Sequence, residues 1–113
     1  MHRGEIWLVN LDPTIGAEMQ KTRTAVIISN DAIGKLPLKV IVPITEWKDR
    51  YTGVPWMVRI KPDKGNSLEK ESVADAFQIK SVSNERFVNR IGVLSDPIIE
   101  EIVEAITTVV SDI

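Results

Sequence analysis

The chain contains no cysteine and a single histidine, His2, among its 113 residues. Without cysteine the protein has no disulfide framework and no thiolate chemistry. One histidine close to the first residue makes a poor catalytic base or metal ligand, since terminal residues fray. These absences argue against histidine-based catalysis and against a zinc site, so we predict neither a bound metal nor a cofactor.

Long apolar runs are also missing from the sequence. None approaches the ~20 residues that cross a bilayer, and residues 1–3 lead directly into a β-patterned run rather than a signal peptide. The apolar fraction of 43% and the charged fraction of 27% are those of an ordinary soluble protein. We therefore expect one cytoplasmic domain covering residues 1–113, with no membrane partner.

The formal net charge of −2 is unevenly distributed along the chain. Five of the 16 acidic residues and none of the 14 basic residues follow residue 95. With 14 basic against 11 acidic residues, the part before residue 96 is mildly basic, and the C-terminal segment is acidic. This distribution is compatible with a local phosphate site but not with the broad basic stripe of a high-affinity nucleic-acid binder.

Turn-forming residues separate six runs of β-forming residues. The expected strands cover residues 6–9, 25–28, 40–44, 54–60, 72–79 and 89–93. Such closely spaced short strands predict a small antiparallel sheet with a barrel-like shape. Proline has no backbone N–H to donate, so we expect Pro43 and Pro55 at strand ends, bulges or edges.

The last part of the chain changes to helical periodicity, in which apolar residues recur every three or four positions. The expected apolar stripe comprises Ile98, Ile99, Ile102, Val103, Ile106, Val109 and Val110. Asp96 is placed to cap the helix and Pro97 to occupy its first position. A shorter helical turn is expected across residues 84–87. The fold class predicted from these patterns is mostly β with one C-terminal α-helix (α+β).

Two polar residues at strand ends are candidates for phosphate chemistry. Arg23 lies between a polar loop and a strand, where its permanently charged guanidinium can bind a phosphate in bidentate fashion. Thr45 ends an apolar strand, where its hydroxyl can donate to a phosphate oxygen or orient a ribose 2′-hydroxyl. Each residue also has an ordinary structural explanation: Arg23 as an exposed arginine near Glu18, and Thr45 as a β-branched strand residue.

An aromatic and basic cluster follows Thr45 in the sequence. Trp47 and Trp56 flank Lys48, Arg50 and Tyr51. Aromatic rings stack on unpaired bases, with about 1–3 kcal/mol per base, so the cluster is a candidate contact for single-stranded RNA. Tryptophan in a small β domain is also commonly a core or interface residue, and that alternative stays open.

Several segments resemble the MazF/PemK family of toxin endoribonucleases. The most specific are RGEIWLVNLDPTIGAE at the start of the chain and VIISND in the second predicted strand. The run VIVPIT and the segment SVADAFQI match two further family strands. The chain departs from the usual family pattern at Lys21, Thr24 and Phe77, where relatives commonly have glycine, proline and an acid.

The resemblance implies an SH3-like barrel of the MazF/PemK/CcdB toxin type, usually a homodimer. It also implies sequence-specific cleavage of single-stranded RNA without metal, by attack of the ribose 2′-oxygen on the adjacent phosphate. Arg23 and Thr45 fall on the catalytic positions of the family. The residues we assign to substrate binding are Glu18, Gln20, Lys21, Thr22, Trp47 and Gln78.

The resemblance further implies a cognate antitoxin, whose flexible acidic segment folds onto the toxin and blocks the RNA groove. Two other functions stay open at this stage. The same barrel occurs in CcdB-like toxins, which bind DNA gyrase and cut nothing, and fold alone does not separate the two classes. The pairing of Arg23 with Thr45 favours the nuclease over the gyrase poison. The second alternative is a catalytically inactive RNA-binding relative, which the departures at Thr24 and Phe77 support.

Overall fold

Seven strands and one helix form the computed structural model, which describes residues 1–11 and 22–112. The elements are β1 (Glu5–Asn10), β2 (Thr22–Ile27), β3 (Leu38–Glu46), β4 (Met57–Ile60), β5 (Ser72–Asp75), β6 (Lys80–Ser83), β7 (Phe87–Val93) and α1 (Asp96–Val110). Short 3₁₀ turns cover Asp31–Ile33, Asp49–Tyr51, Ala76–Gln78 and Asn84–Arg86. The predicted fold class, mostly β with a C-terminal helix, is confirmed.

All the strands belong to one antiparallel sheet, in the order β4-β5-β3-β2-β1-β7, and β6 pairs with the first half of β3. Within the described part of the chain, no ladder joins the outer strands β4 and β7. The sheet is therefore not closed into a hydrogen-bonded ring. The described helix is too short and too polar to cross a membrane.

Two predicted strands were too long. The run expected over residues 54–60 begins as a strand only at Met57, because a turn occupies the residues around Pro55. The run expected over residues 72–79 is divided into β5, a 3₁₀ turn and β6. Asp75 causes this division, since its side chain accepts a hydrogen bond from Phe77 N at 3.1 Å and caps the turn.

Pro43 was expected at a strand end, a bulge or an edge, and it lies inside β3 opposite Ala25. The carbonyl of Val40 accepts a hydrogen bond from Ile28, so the even-numbered residues of β3 direct their backbone groups to β2. Pro43 faces the other edge. There the ladder with β6 ends at Ile41 and the ladder with β5 begins at Ile44, so no donor is needed at Pro43.

The core has two apolar layers, one on each face of the sheet. The larger layer lies between the sheet and α1, and Val42 and Ile44 of β3 belong to it. The smaller layer lies on the opposite face and includes Ile41, together with Ala25 and Ile27 of β2. Because β3 is buried on both faces, its sequence is a nearly continuous apolar run rather than an alternating one.

Helix α1 packs against the larger layer through Ile99, Ile102 and Ala105, which are buried. The predicted stripe was too wide: Val103 is 37% exposed and Val110 is 72% exposed. The cap is also displaced by one residue, since Ser95 is the N-cap and Asp96 is the first helical residue. The Asp96 carboxylate still lies in the first turn, where the positive end of the helix dipole favours it.

Asn66 organises the segment between β4 and β5. It is 1% exposed, and its Oδ1 accepts hydrogen bonds from the backbone N–H groups of Asp63 and Leu68, at 3.1 and 3.0 Å. Its Nδ2 donates to the Lys61 carbonyl at 2.9 Å. The backbone of this segment lies directly against Gly92 of β7, where an added Cβ would be 2.5 Å from the Asn66 carbonyl oxygen.

Replacing Asn66 with alanine should destabilise the fold by about 2–3 kcal/mol, because buried backbone groups lose their partners. Urea unfolding followed by circular dichroism measures the change. Asn30→Ala is the matched control, since the exposed Asn30 side chain accepts only one turn hydrogen bond, from Ala32 N at 2.9 Å. Equal losses in the two variants would contradict an organising role for Asn66.

Glu5 carries a pH-dependent part of the stability. Burial alone would raise the pKa of Glu5, but hydrogen bonds from the Trp7 indole and the His2 backbone outweigh burial and lower it. Arg90 Nε, 3.5 Å from the carboxylate, adds to the lowering. The contribution is therefore complete above the unfolded pKa of about 4.3 and is lost as the pH falls through the folded value.

Between pH 7 and pH 3 the wild-type protein should lose more unfolding free energy than Glu5→Gln, which cannot titrate. Urea unfolding at both pH values gives the comparison. Glu100→Gln, which replaces an exposed acid of α1, is the control and should follow the wild type. A Glu5→Gln variant with the wild-type acid sensitivity would show that these hydrogen bonds do not shift the titration.

Candidate active site

Arg23 and Thr45 are neighbours on adjacent strands. The last pair in the ladder between β2 and β3 is Thr24 with Ile44. The next residue of β2 is Arg23 and the next residue of β3 is Thr45, so these two lie opposite each other just beyond the ladder. Residues opposite each other in an antiparallel pair have Cβ atoms about 5 Å apart and point to the same face. Residues that are 22 positions apart in the sequence are thus brought together at one end of the sheet.

The guanidinium of Arg23 is available to an anion. Arg23 is exposed, and its Nη1 donates only a long hydrogen bond of 3.4 Å to the Thr22 carbonyl. Among residues 1–11 and 22–112 it forms no salt bridge. An arginine whose donors are not held by a carboxylate keeps its full charge for a phosphate.

Thr45 is held by its backbone, while its side chain is exposed. The residue pairs with Val73 of β5 on the side away from β2. Within the described part of the chain its hydroxyl has no hydrogen-bond partner. A rigid strand thus presents a free donor beside the free guanidinium of Arg23, an arrangement that suits binding of one phosphate by both groups.

A cleft of about 430 Å³ opens beside Thr45. Its walls are formed by Thr24, Ile44, Thr45, Glu46, Ser67, Leu68, Glu69, Lys70, Ser72 and Ile91. Ile44 and Ile91 belong to the layer beneath α1 or pack against it, so the cleft opens on the helix side of the sheet. Thr45 is among the lining residues, whereas Arg23 is not. The cleft therefore adjoins Thr45 alone of the two.

Of the other predicted substrate contacts, the structure describes Thr22, Trp47 and Gln78. Thr22 begins β2, directly before Arg23. Glu18, Gln20 and Lys21 fall outside the described residues. Gln78 is exposed at the end of the 3₁₀ turn between β5 and β6, two strands that both pair with β3.

Trp47 forms part of a stacked cluster rather than a free aromatic surface. Arg59 of β4 covers its ring, with the guanidinium carbon 4.4 Å from the ring centre, and Tyr51 contacts the ring in a T-shaped geometry at 5.9 Å. Arg59 is in turn paired with Glu71. The Arg59 hydrogen bond is the main cause of the lowered pKa of Glu71.

Sequence reasoning did not find Arg59, because it lies 12 positions from both Trp47 and Glu71 and joins them only through strand pairing. Trp56 has the structural role left open above: it packs against the core beneath α1, with its ring 5.5 Å from that of Phe77. Trp7 also packs against a core layer, with its ring 5.8 Å from that of Phe87.

Comparison with known proteins identifies the family. Residues 2–110 match the model of the PemK-like, MazF-like toxins of type II toxin-antitoxin systems. The chain belongs to this family. It is 32% identical over 112 residues to endoribonuclease MazF9 of Mycobacterium tuberculosis, covering 94% of this chain and 92% of that protein. It is 33% identical over 106 residues to endoribonuclease MazF of Staphylococcus saprophyticus, covering 94% and 88%. The predicted family and the predicted class of enzyme are confirmed at this level.

Solved structures of MazF toxins share the fold. A mycobacterial endoribonuclease in complex with its cognate antitoxin superposes with a TM-score of 0.78 at 18% identity, covering 100% of this chain and 97% of that one. A MazE–MazF complex from Deinococcus radiodurans gives a TM-score of 0.77 at 18% identity, with the same coverage. At this identity the likeness concerns the architecture: one sheet of short antiparallel strands with a C-terminal helix.

Because Arg23 and Thr45 are exposed, Arg23→Ala and Thr45→Ala should each change the free energy of unfolding by less than about 0.5 kcal/mol. Thermal and urea unfolding of the two variants test this expectation. Val42→Ala, in the buried layer of the same strand as Thr45, is the contrasting variant and should lose about 2 kcal/mol. A large loss in the Arg23 or Thr45 variant would instead indicate a structural role.

Proposed function

We propose that this toxin cleaves single-stranded RNA at short sequence motifs, with Arg23 and Thr45 as its catalytic residues and without a metal ion. The observation that carries the proposal is the juxtaposition of an exposed guanidinium and an exposed hydroxyl at adjacent strand ends. The names of the two relatives, both endoribonucleases, support the reaction class.

In the proposed reaction, the ribose 2′-oxygen forms a bond to the adjacent phosphorus while the bond to the 5′-oxygen breaks. The products are a 2′,3′-cyclic phosphate and a free 5′-hydroxyl, so the proton lost by the 2′-hydroxyl is balanced by the one gained by the leaving oxygen. Negative charge grows on the non-bridging oxygens, where Arg23 and Thr45 donate hydrogen bonds. We assign Arg23 an electrostatic role, since the guanidinium of arginine stays protonated in proteins and is therefore a poor general base.

The proposal includes the biological partners. The substrate is single-stranded RNA, and the protein acts as a homodimer in the cytoplasm. We infer that a cognate antitoxin with a flexible acidic segment neutralises it. In support, the mycobacterial endoribonuclease was solved in complex with its cognate antitoxin, and the Deinococcus MazF with MazE. We assign Glu18, Gln20, Lys21, Thr22, Trp47 and Gln78 to contacts with the RNA around the scissile phosphate.

The test is incubation of the purified protein with a long single-stranded RNA in the presence of EDTA, with the cut ends mapped by primer extension. Wild-type protein should give discrete cuts, and Arg23→Ala and Thr45→Ala should each lower the rate at least about 100-fold, the usual cost of losing one transition-state donor. The products should carry cyclic phosphate ends.

Two matched controls separate the site from general surface effects. Lys35→Ala removes one exposed positive charge from the segment before β3, and Thr108→Ala removes an exposed hydroxyl from α1. Both should cleave like the wild type. Intact RNA under all conditions, or near-full activity of both site variants, would overturn the proposal and favour a toxin that acts by binding a protein such as gyrase.

A further inference from the structure

Arg59 lies in the same row of the sheet as the proposed catalytic residues, where a row is a line of residues paired across neighbouring strands. Val73 of β5 pairs with Thr45 on one side and with Arg59 of β4 on the other. Residues paired in this way point to the same face, so Arg59 shares the face of Thr45 and Arg23. With strands about 4.8 Å apart, Arg59 is displaced from Thr45 by two strand spacings, about 10 Å.

The Arg59 guanidinium forms the outer layer of a small stack. It lies over the Trp47 ring at 4.4 Å, and its side chain is still 49% exposed. Trp47 is only partly accessible beneath it. A ligand that approaches this cluster from the side of Arg59 therefore meets the guanidinium before the indole, although the sequence alone suggested Trp47 as the stacking surface.

The pairing with Glu71 decides which part of an RNA the guanidinium suits. Glu71 offsets the charge of Arg59 and would repel a phosphate placed beside it. The same pairing and the indole beneath restrict the motion of the guanidinium, so little side-chain entropy remains to be lost on binding. A flat, nearly charge-compensated group of this kind favours a nucleobase, since bases stack on arginine planes.

We propose that Arg59, supported by Trp47 and Glu71, is a stacking platform for a nucleobase flanking the scissile phosphate. The inference rests on the proposed function, because it takes Arg23 and Thr45 as the position of the phosphate. It assigns Arg59 a role in substrate affinity and in the choice of the flanking base. Base contacts specify sequence whereas phosphate contacts position the strand, so this platform contributes to the cleavage motif.

Three variants test the platform with the RNA cleavage assay. Arg59→Ala should raise KM about tenfold, within the range of stacking losses per base, change kcat less than twofold and weaken the preference for the flanking nucleotide. Arg59→Lys should behave almost like Arg59→Ala, because lysine keeps the charge and lacks the flat surface. Glu71→Gln should raise KM clearly less than Arg59→Ala does, because the guanidinium still lies over the Trp47 ring and a negative charge is removed.

The variants distinguish a platform from a structural ion pair. A structural pair would be broken equally by Arg59→Ala and Glu71→Gln, so equal increases of KM in these two variants would overturn the inference. Full rescue by Arg59→Lys would also overturn it, since charge alone would then suffice. Unfolding measurements on each variant ensure that kinetics are compared between folded proteins, and Lys35→Ala serves as the charge control.

Failure of this inference is distinguishable from failure of the proposed function. If the wild-type protein does not cut RNA, the proposed function fails, and the platform fails with it. If the wild type cuts RNA while Arg59→Ala retains the wild-type KM and the wild-type flanking preference, only the platform is wrong. In that case the assignments of Arg23 and Thr45 stand.

Discussion

The structure depends on strand β3, which is paired along both edges and buried on both faces. Residues 41–44 pair with β2 along one edge, while residues 38–41 pair with β6 and residues 44–46 with β5 along the other. In the middle of the strand this geometry requires apolar residues, and the run VIVPI supplies them. Pro43 is tolerated in the middle because the partner strand changes there, so no ladder hydrogen bond is lost.

The candidate active site lies at the end of β3 where pairing with β2 stops. Beyond Ile44 the ladder with β2 stops, and the next residue of each strand, Arg23 or Thr45, is exposed. The backbone of β3 is still fixed by β5 at this point, so Thr45 is presented by a rigid element. A polar site at the end of a doubly buried strand combines accurate positioning with access for a large substrate, which is what cleavage of a polymer requires.

The two arginines on this face of the sheet differ in whether a carboxylate is paired with them. Arg23 has no carboxylate partner in the described part of the chain, whereas Arg59, in the same row of the sheet, is paired with Glu71. The free arginine suits a phosphate and the paired arginine suits a base. In the proposed function, a mildly basic body of low net charge thus binds its RNA substrate locally, without the broad electrostatic attraction of general nucleic-acid binders.

The sequence determined the fold class and the two proposed catalytic residues. Their positions follow from local patterns: β-rich runs divided by turns, helical periodicity after residue 96, and the family motifs around Arg23 and Thr45. Element ends were less accurate, as at Asp75, because side chains such as its carboxylate end a strand by local hydrogen bonds. The width of the α1 stripe was also wrong, since only packing decides which valines reach the core.

Tertiary structure alone decided which distant residues meet. The pairing of β4 with β5 and of β5 with β3 brings Arg59 to Glu71 and Trp47, in line with Thr45. It likewise decided that Trp56 belongs to the core whereas Trp47 lies under an arginine. Sequence patterns report contacts between near neighbours, through the periods of helices and strands. Contacts across three strands depend on register and sheet order, which no local pattern contains.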